Sequence, residues 1–248
     1  MAAVAAGRQA VAVHTGILAT LIDLVLPQEC AGCGALAGRP GLCPPCAACL
    51  SQPPSPRRPH PAPSGLPDCL AGGDYDGVLR ASILAYKERG QRGLAAPLGD
   101  LLATVVGTGW PRGGPIVLVP VPATAAAIRA RHGDHMLRLA RRAVQRLRAD
   151  GQPAVTATAL RALPRADSTH LDREQRALAA HGAFAVRRAW RSGARLAALR
   201  TLTDGGAVVL VDDVLTTGST LAAAARRLLD VGVPVTFAAT LAATRLRG

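Results

Sequence analysis

Thirteen residues, Val208 to Thr220 (VVLVDDVLTTGST), constrain this chain more than any other stretch. Four apolar residues lead into two adjacent acids, Asp212 and Asp213. After Val214 and Leu215 come five small polar residues, Thr216, Thr217, Gly218, Ser219 and Thr220. An unbroken apolar run fits a strand covered on both faces, as in a parallel sheet between helix layers. Acids at the carboxyl end of such a strand stand where open parallel sheets take their ligands. The loop behind them offers backbone N–H groups and a helix start to an anion. Gly218 lets the backbone approach closely, and four hydroxyls add donors. Residues 216–220 therefore suit a phosphate dianion. Asp212 and Asp213 suit sugar hydroxyls and, directly or through water, a magnesium ion.

The remaining chain supplies the sheet and helices this motif needs. VLRASILAYKERG (78–90) reads as an amphipathic helix stopped by Gly90, and 94–106 as a second. IVLVPVP (116–122) is an apolar strand ended by prolines, and 134–149 is a helix with Met136, Ala140, Val144 and Leu147 on its buried face. Strand 207–214, helix 219–231 and strand 235–244 follow. This alternation predicts an α/β fold with a parallel sheet covered by helices. Three units are expected: residues 1–50 with an apolar helix at 8–26 and a cysteine module, a proline-rich linker at 51–73, and the α/β domain at 74–248.

Composition separates real signals from bias. The formal charge is +13, and nearly all of the excess falls after residue 73. Lys87 is the only lysine, and 28 arginines against 50 alanines have the look of a GC-rich coding habit. Basicity alone is therefore modest evidence for a polyanionic partner. With 2% aromatic residues, a base-stacking platform is disfavoured. Arg138, Arg141, Arg142, Gln145 and Arg148 fall on one face of the 134–149 helix, which reads either as a solvated face or as a weak groove for single-stranded DNA. The apolar stretch 11–26 holds His14 and Asp23 and is short for a membrane span, so membrane insertion is not expected. With no signal-peptide pattern at the start, the protein is expected in the cytoplasm.

Cys30-x2-Cys33 and Cys43-x2-Cys46, nine residues apart, have the spacing of two knuckles around one tetrahedral zinc. Ala31, Gly32 and Gly34 suit the tight turns that thiolate ligation needs. The stretch also has too few apolar residues for a core of its own. A disulfide pair or redox site is the alternative. Cys49 and Cys69 are left over, and Cys49 competes with Cys46 for the fourth ligand position.

Residues 208–220 resemble the phosphoribosyl pyrophosphate (PRPP) motif of type I phosphoribosyltransferases. The resemblance extends along the chain. The cysteine pairs, YKERGQRGLAAPLG (86–99), VPVP (119–122) with an arginine-rich turn, and then the acid pair keep the order of the ComF/ComFC competence proteins. It implies that residues 214–220 bind the sugar 5-phosphate and that Asp212 and Asp213, as the catalytic pair, bind the ribose hydroxyls. Arg129 and Arg131 are placed to neutralise pyrophosphate, and Lys87, in the family's Tyr-Lys block, suits a single phosphate oxygen. The implied reaction is displacement at the anomeric carbon, with magnesium at the pyrophosphate, structural zinc on the cysteines, and single-stranded DNA and a competence helicase as partners. The turn Arg131-His132-Gly133-Asp134-His135 replaces the Arg-Gly-Phe-Asn-Gln run of many members. In the family's flexible loop, which often has a Gln and an Arg-x2-Asn, this chain has Asp167 and then Arg176 with Ala179 where the Asn would stand. A nucleobase salvage enzyme and a non-catalytic PRPP-binding module are the competing expectations.

Overall fold

The computed structural model describes residues 28–37, 41–111, 113–131, 133–163, 182–203 and 205–245. The stretch 8–26 read as a helix lies outside them, as do Asp167, Arg176 and Ala179.

At the amino end, β1 (Gln28–Glu29) and β2 (Leu36–Ala37) pair antiparallel around the first two cysteines. Helix α1 (Pro44–Cys49) follows Cys43 and carries Cys46. It opens on two prolines, where a missing N–H costs no helical bond.

Residues 51–73, expected to be a linker, are drawn into the central sheet. β3 (Ser55–Pro56) pairs antiparallel with β4 (Cys69–Ala71), β4 lies parallel to the last strand of the chain, and Leu66 between them is buried. Proline-rich sequence is compatible with this position because β3 is the sheet's edge, where an absent N–H breaks no ladder.

Helix α2 (Gly77–Glu88) and a 3-10 turn (Arg92–Leu94) lead into α3 (Ala95–Gly109) and β5 (Ile116–Pro120). Then come α4 (Ala125–Ala130), α5 (His135–Ala149) and β6 (Ala154–Thr156). An antiparallel pair, β7 (Leu160–Ala162) and β8 (Phe184–Val186), stands apart from the main sheet. A second 3-10 turn (Arg188–Trp190), α6 (Ala194–Thr203), β9 (Ala207–Leu215), α7 (Ser219–Leu229) and β10 (Phe237–Ala243) complete the described elements.

The six-stranded sheet has the order β3-β4-β10-β9-β5-β6, parallel throughout except for β3. One face packs against α2, α3 and α5 through Ile116, Leu118, Val209 and Val211. The other packs against α6 and α7 through Val117, Val119, Val208 and Leu210. This is the expected α/β architecture with helices on both faces.

Helix α5 begins where Asp134 accepts a hydrogen bond from the Leu137 N–H at 3.0 Å, and it buries Met136, Leu139, Ala140, Ala143, Val144 and Leu147. Its arginines do not form a free row. Arg142 grips Asp100 of α3 bidentately at 2.9 and 3.0 Å, and Arg148 donates to the Ala154 carbonyl at 2.7 Å. The Arg142 stem lies so close over Gly99 that a β-carbon there would collide with it. Part of the face read as a DNA groove therefore serves to lock α3 against α5. Among the described residues, no helix is long and apolar enough to cross a membrane.

Candidate active site

Both halves of the Val208–Thr220 motif take the predicted secondary structure, and β9 sits between β5 and β10 in the sheet. Val209 and Val211 point into the core under α3 and α5, and Val208 and Leu210 into the core under α6 and α7. This alternation continues past the apolar run and separates the two acids. Asp213 falls on the α5 side, where its Oδ2 receives Lys87 Nζ at 2.6 Å and lies 3.3 Å from His135 Nε2. Asp212 belongs to the opposite alternation, is half-buried, and accepts the Asp213 backbone N–H at 2.9 Å.

The two carboxylates differ electrostatically. Burial, then the adjacent Asp213 charge, pushes Asp212 up to about 8. Burial also opposes the charge on Asp213, but the hydrogen bond from His135 and the Lys87 ammonium outweigh it and hold this acid down to about 2. Asp213 is a compensated anion. Among the described residues Asp212 has no ion-pair partner in contact with it, so the donor set fits a magnesium ion or another positive charge brought by a ligand.

Beyond the acids, Gly218 caps α7 in the left-handed region at φ 77°, which only glycine adopts without strain. Its missing β-carbon faces Leu66 Cδ2 at 2.9 Å and Pro59 Cγ at 3.2 Å, so the glycine is also required for the loop to close over the β3–β4 segment. Thr217 and Ser219 turn toward each other, with hydroxyls 3.1 Å apart. Leu215 is buried in the core.

An open cleft of about 450 Å³ lies above these strand ends. Asp212, Asp213, Val214, Thr216 and Thr220 line it from the motif, and Lys87 and Arg131 line it from α2 and the turn after α4. Arg131 donates to Glu88 at 3.0 Å. Arg129 is exposed and stands outside the lining. Val121 and Pro122 form one wall where the chain leaves β5, and Ala162, Ala183 and Phe184 of the β7–β8 pair form another. His135 and Phe184 went unrecognised in sequence. The signal for His135 was its place directly after the Asp134 cap of α5, facing the open end of the sheet; no local pattern marked Phe184.

The four cysteines Cys30, Cys33, Cys43 and Cys46 come together with all four sulfurs within 4.8 Å of one another. Cys33 and Cys43 Sγ are 3.8 Å apart, the edge of a tetrahedron with bonds of about 2.3 Å to zinc. Burial opposes the Cys30 thiolate, but backbone N–H groups of Cys43, Cys33 and Gly32 outweigh it and hold this thiol down to about 6. The set fits a zinc ion. Cys49 lies outside the cluster and donates to the Pro45 carbonyl at 3.4 Å.

Residues 136–247 match the family model of the phosphoribosyl transferase domain. The matched span runs from α5 to the end of the chain and contains the acid pair and its loop. It leaves out Lys87, β5 and the cysteines. No curated protein matches the chain. With the mostly parallel α/β sheet, the match supports a phosphoribosyltransferase that uses PRPP as its donor.

Proposed function

We propose that this protein is a magnesium-dependent phosphoribosyltransferase of the ComF kind, which transfers the phosphoribosyl group of PRPP to an acceptor held under the β7–β8 pair. One observation carries the reading: two electrostatically distinct carboxylates, and Thr216 and Thr220 on either side of the glycine cap of α7, line one cleft at the carboxyl end of the sheet.

The 5-phosphate rests on the backbone N–H groups of 216–220, with the Thr216 and Thr220 hydroxyls beside it. Asp212 and Asp213 accept the ribose hydroxyls and so fix the sugar with its anomeric carbon in the cleft. Arg131 contributes positive charge toward the pyrophosphate. Magnesium, held by Asp212 and Asp213 directly or through water, would neutralise the charge that develops on the departing pyrophosphate. The bond from the anomeric carbon to pyrophosphate breaks as the bond to the acceptor forms, and no side chain is needed as nucleophile. Ala162, Ala183 and Phe184 supply a dry wall beside the reacting carbon.

The resemblance to ComF proteins supports a cytoplasmic role in handling single-stranded DNA during natural transformation, beside a competence helicase. Salt-dependent binding of an oligonucleotide to the full chain tests that setting. The chemical reading is tested by calorimetric titration with PRPP, with and without magnesium, then by pyrophosphate release with nucleobases and single-stranded DNA as acceptors. Magnesium-dependent binding with release supports the transferase. Binding without release to any acceptor favours a non-catalytic PRPP-binding module, and no binding overturns the reading.

A further inference from the structure

Three successive residues end helix α2, and each reaches a different wall of the cleft. The buried Tyr86 hydroxyl donates to the His135 carbonyl at 3.2 Å, Lys87 meets Asp213 at 2.6 Å, and Glu88 receives Arg131 at 3.0 Å. Helical geometry turns successive side chains by about 100°, so the last turn of α2 touches the start of α5, the end of β9 and the turn after α4 together. Lys87 and His135 converge on one atom, Asp213 Oδ2.

We propose that Tyr86, Lys87 and His135 form a clamp that positions Asp213, and that Lys87 acts through this carboxylate instead of on a phosphate of the substrate. The proposal rests on the phosphoribosyl reading for what Oδ1 receives, a ribose hydroxyl.

Two further observations support the clamp. His135 is buried, and its Nδ1 has no hydrogen-bond partner among the described residues. With Nδ1 so placed, the contact of Nε2 with Asp213 orients the ring, and the Tyr86 bond to the His135 backbone carbonyl anchors the start of α5 beneath it. Lys87 is also the one lysine beside 28 arginines. An ammonium is a point charge that serves a single oxygen, whereas a guanidinium is a planar fork suited to both oxygens of a carboxylate. Arginine here would engage Oδ1 as well and take the atom the sugar needs. The geometry thus gives a reason for lysine at this position that coding bias does not.

A double-mutant cycle on the full chain tests the clamp. Affinity for PRPP with magnesium is measured for the wild type, Lys87→Met, Asp213→Asn and the double variant, with thermal melting on each to establish that it folds. The clamp predicts that Lys87→Met weakens binding about tenfold alone and less than about twofold when Asp213 is already asparagine. Equal losses in both backgrounds mean that Lys87 contacts the ligand directly, which overturns the proposal. His135→Gln, which keeps an N–H near the Nε2 position, is expected to hold affinity within about threefold, and His135→Ala to lose about tenfold at a similar melting temperature. Lys87→Arg should fail to restore binding, and full affinity in that variant would also overturn the clamp. A wild type that binds PRPP with an additive cycle defeats the clamp alone. A wild type that binds no PRPP defeats the phosphoribosyl reading, and the clamp's purpose with it.

Discussion

The cysteine cluster and the cleft are held together in opposite ways. The cluster takes its four sulfurs from one short stretch, residues 30–46, and has little apolar material of its own. The cleft gathers side chains from α2, the turn after α4, α5, β8 and β9, and stands on apolar layers on both faces of the sheet. A metal must do for the first what burial does for the second. The two regions nonetheless touch. Ala31 and Leu50 are buried in the core beneath α2 and α3, and Gly32 lies against Val78 of α2, where a β-carbon would come within 2.8 Å. The helix that meets the cluster at Val78 meets Asp213 at Lys87.

Removing the metal breaks the comparison most directly. Cys43→Ser is expected to abolish zinc binding, from one ion per chain to none, as read by metal analysis. The α/β domain should keep its circular dichroism but melt at a lower temperature, because Ala31 and Leu50 lose their fixed place in the core. An unchanged melting temperature would make the cluster an independent appendage. Global unfolding would make the two regions one cooperative unit.

The second test acts on the cleft. Gly218→Val combines a left-handed backbone, at about 1–3 kcal/mol, with a collision against Leu66 and Pro59, at about 1–3 kcal/mol. Urea unfolding should show the sum, and the melting temperature should fall by roughly 2–4 °C for each kcal/mol. The sequence suggested that Gly218 serves the close approach of the backbone to the anion. The structure directs the β-carbon toward Leu66 and Pro59 instead, so lost phosphate binding would follow from a distorted loop.

How much of each region was legible follows from the distance over which its signal runs. The cysteine spacing, the apolar run of β9 and the stripe of α5 are local patterns, and each element formed where its pattern lay. The clamp on Asp213 joins residues 78 positions apart in the case of His135, and no local pattern encodes such a meeting. The proline-rich segment misled because composition reports what cannot enter a sheet's interior and is silent about its edge. Adjacent acids read as an equivalent pair, although strand alternation alone places them on opposite faces.

That alternation gives the third test, which separates Asp212 from Asp213. Asp212→Asn and Asp213→Asn together should weaken PRPP binding at least tenfold, about 1.4 kcal/mol. Their effects on stability in magnesium-free buffer should oppose. The folded protein holds Asp212 up to about 8, so this acid costs stability as pH rises from about 4, where unfolded Asp ionises, toward 8. Asp212→Asn should therefore stabilise most at the upper end of that window. Asp213 is held down to about 2. Its contribution is complete above about pH 4 and fades as pH falls toward 2. Asp213→Asn should destabilise at neutral pH by orphaning Lys87 and His135. Equal effects of the same sign would erase the distinction between the acids.

The smallest expected effect concerns the two cysteines outside the cluster. Cys49 is exposed on α1, whereas Cys69 is buried in β4 with its hydrogen bond to the Pro67 carbonyl at 3.2 Å. Burial, then the neighbouring Asp68 charge, pushes the Cys69 thiol up to about 11. Since the thiolate is the reactive form, both access and ionisation protect Cys69 near neutral pH. In zinc-loaded protein, alkylation followed by mass spectrometry should modify Cys49 first and Cys69 at least about tenfold more slowly. The ratio should collapse in urea, where both thiols return to an ordinary thiol environment. Rapid modification of Cys69 in folded protein would show that the β3–β4 edge opens readily. The proline-rich segment would then behave as the linker its composition suggested, docked on the sheet without being fixed there.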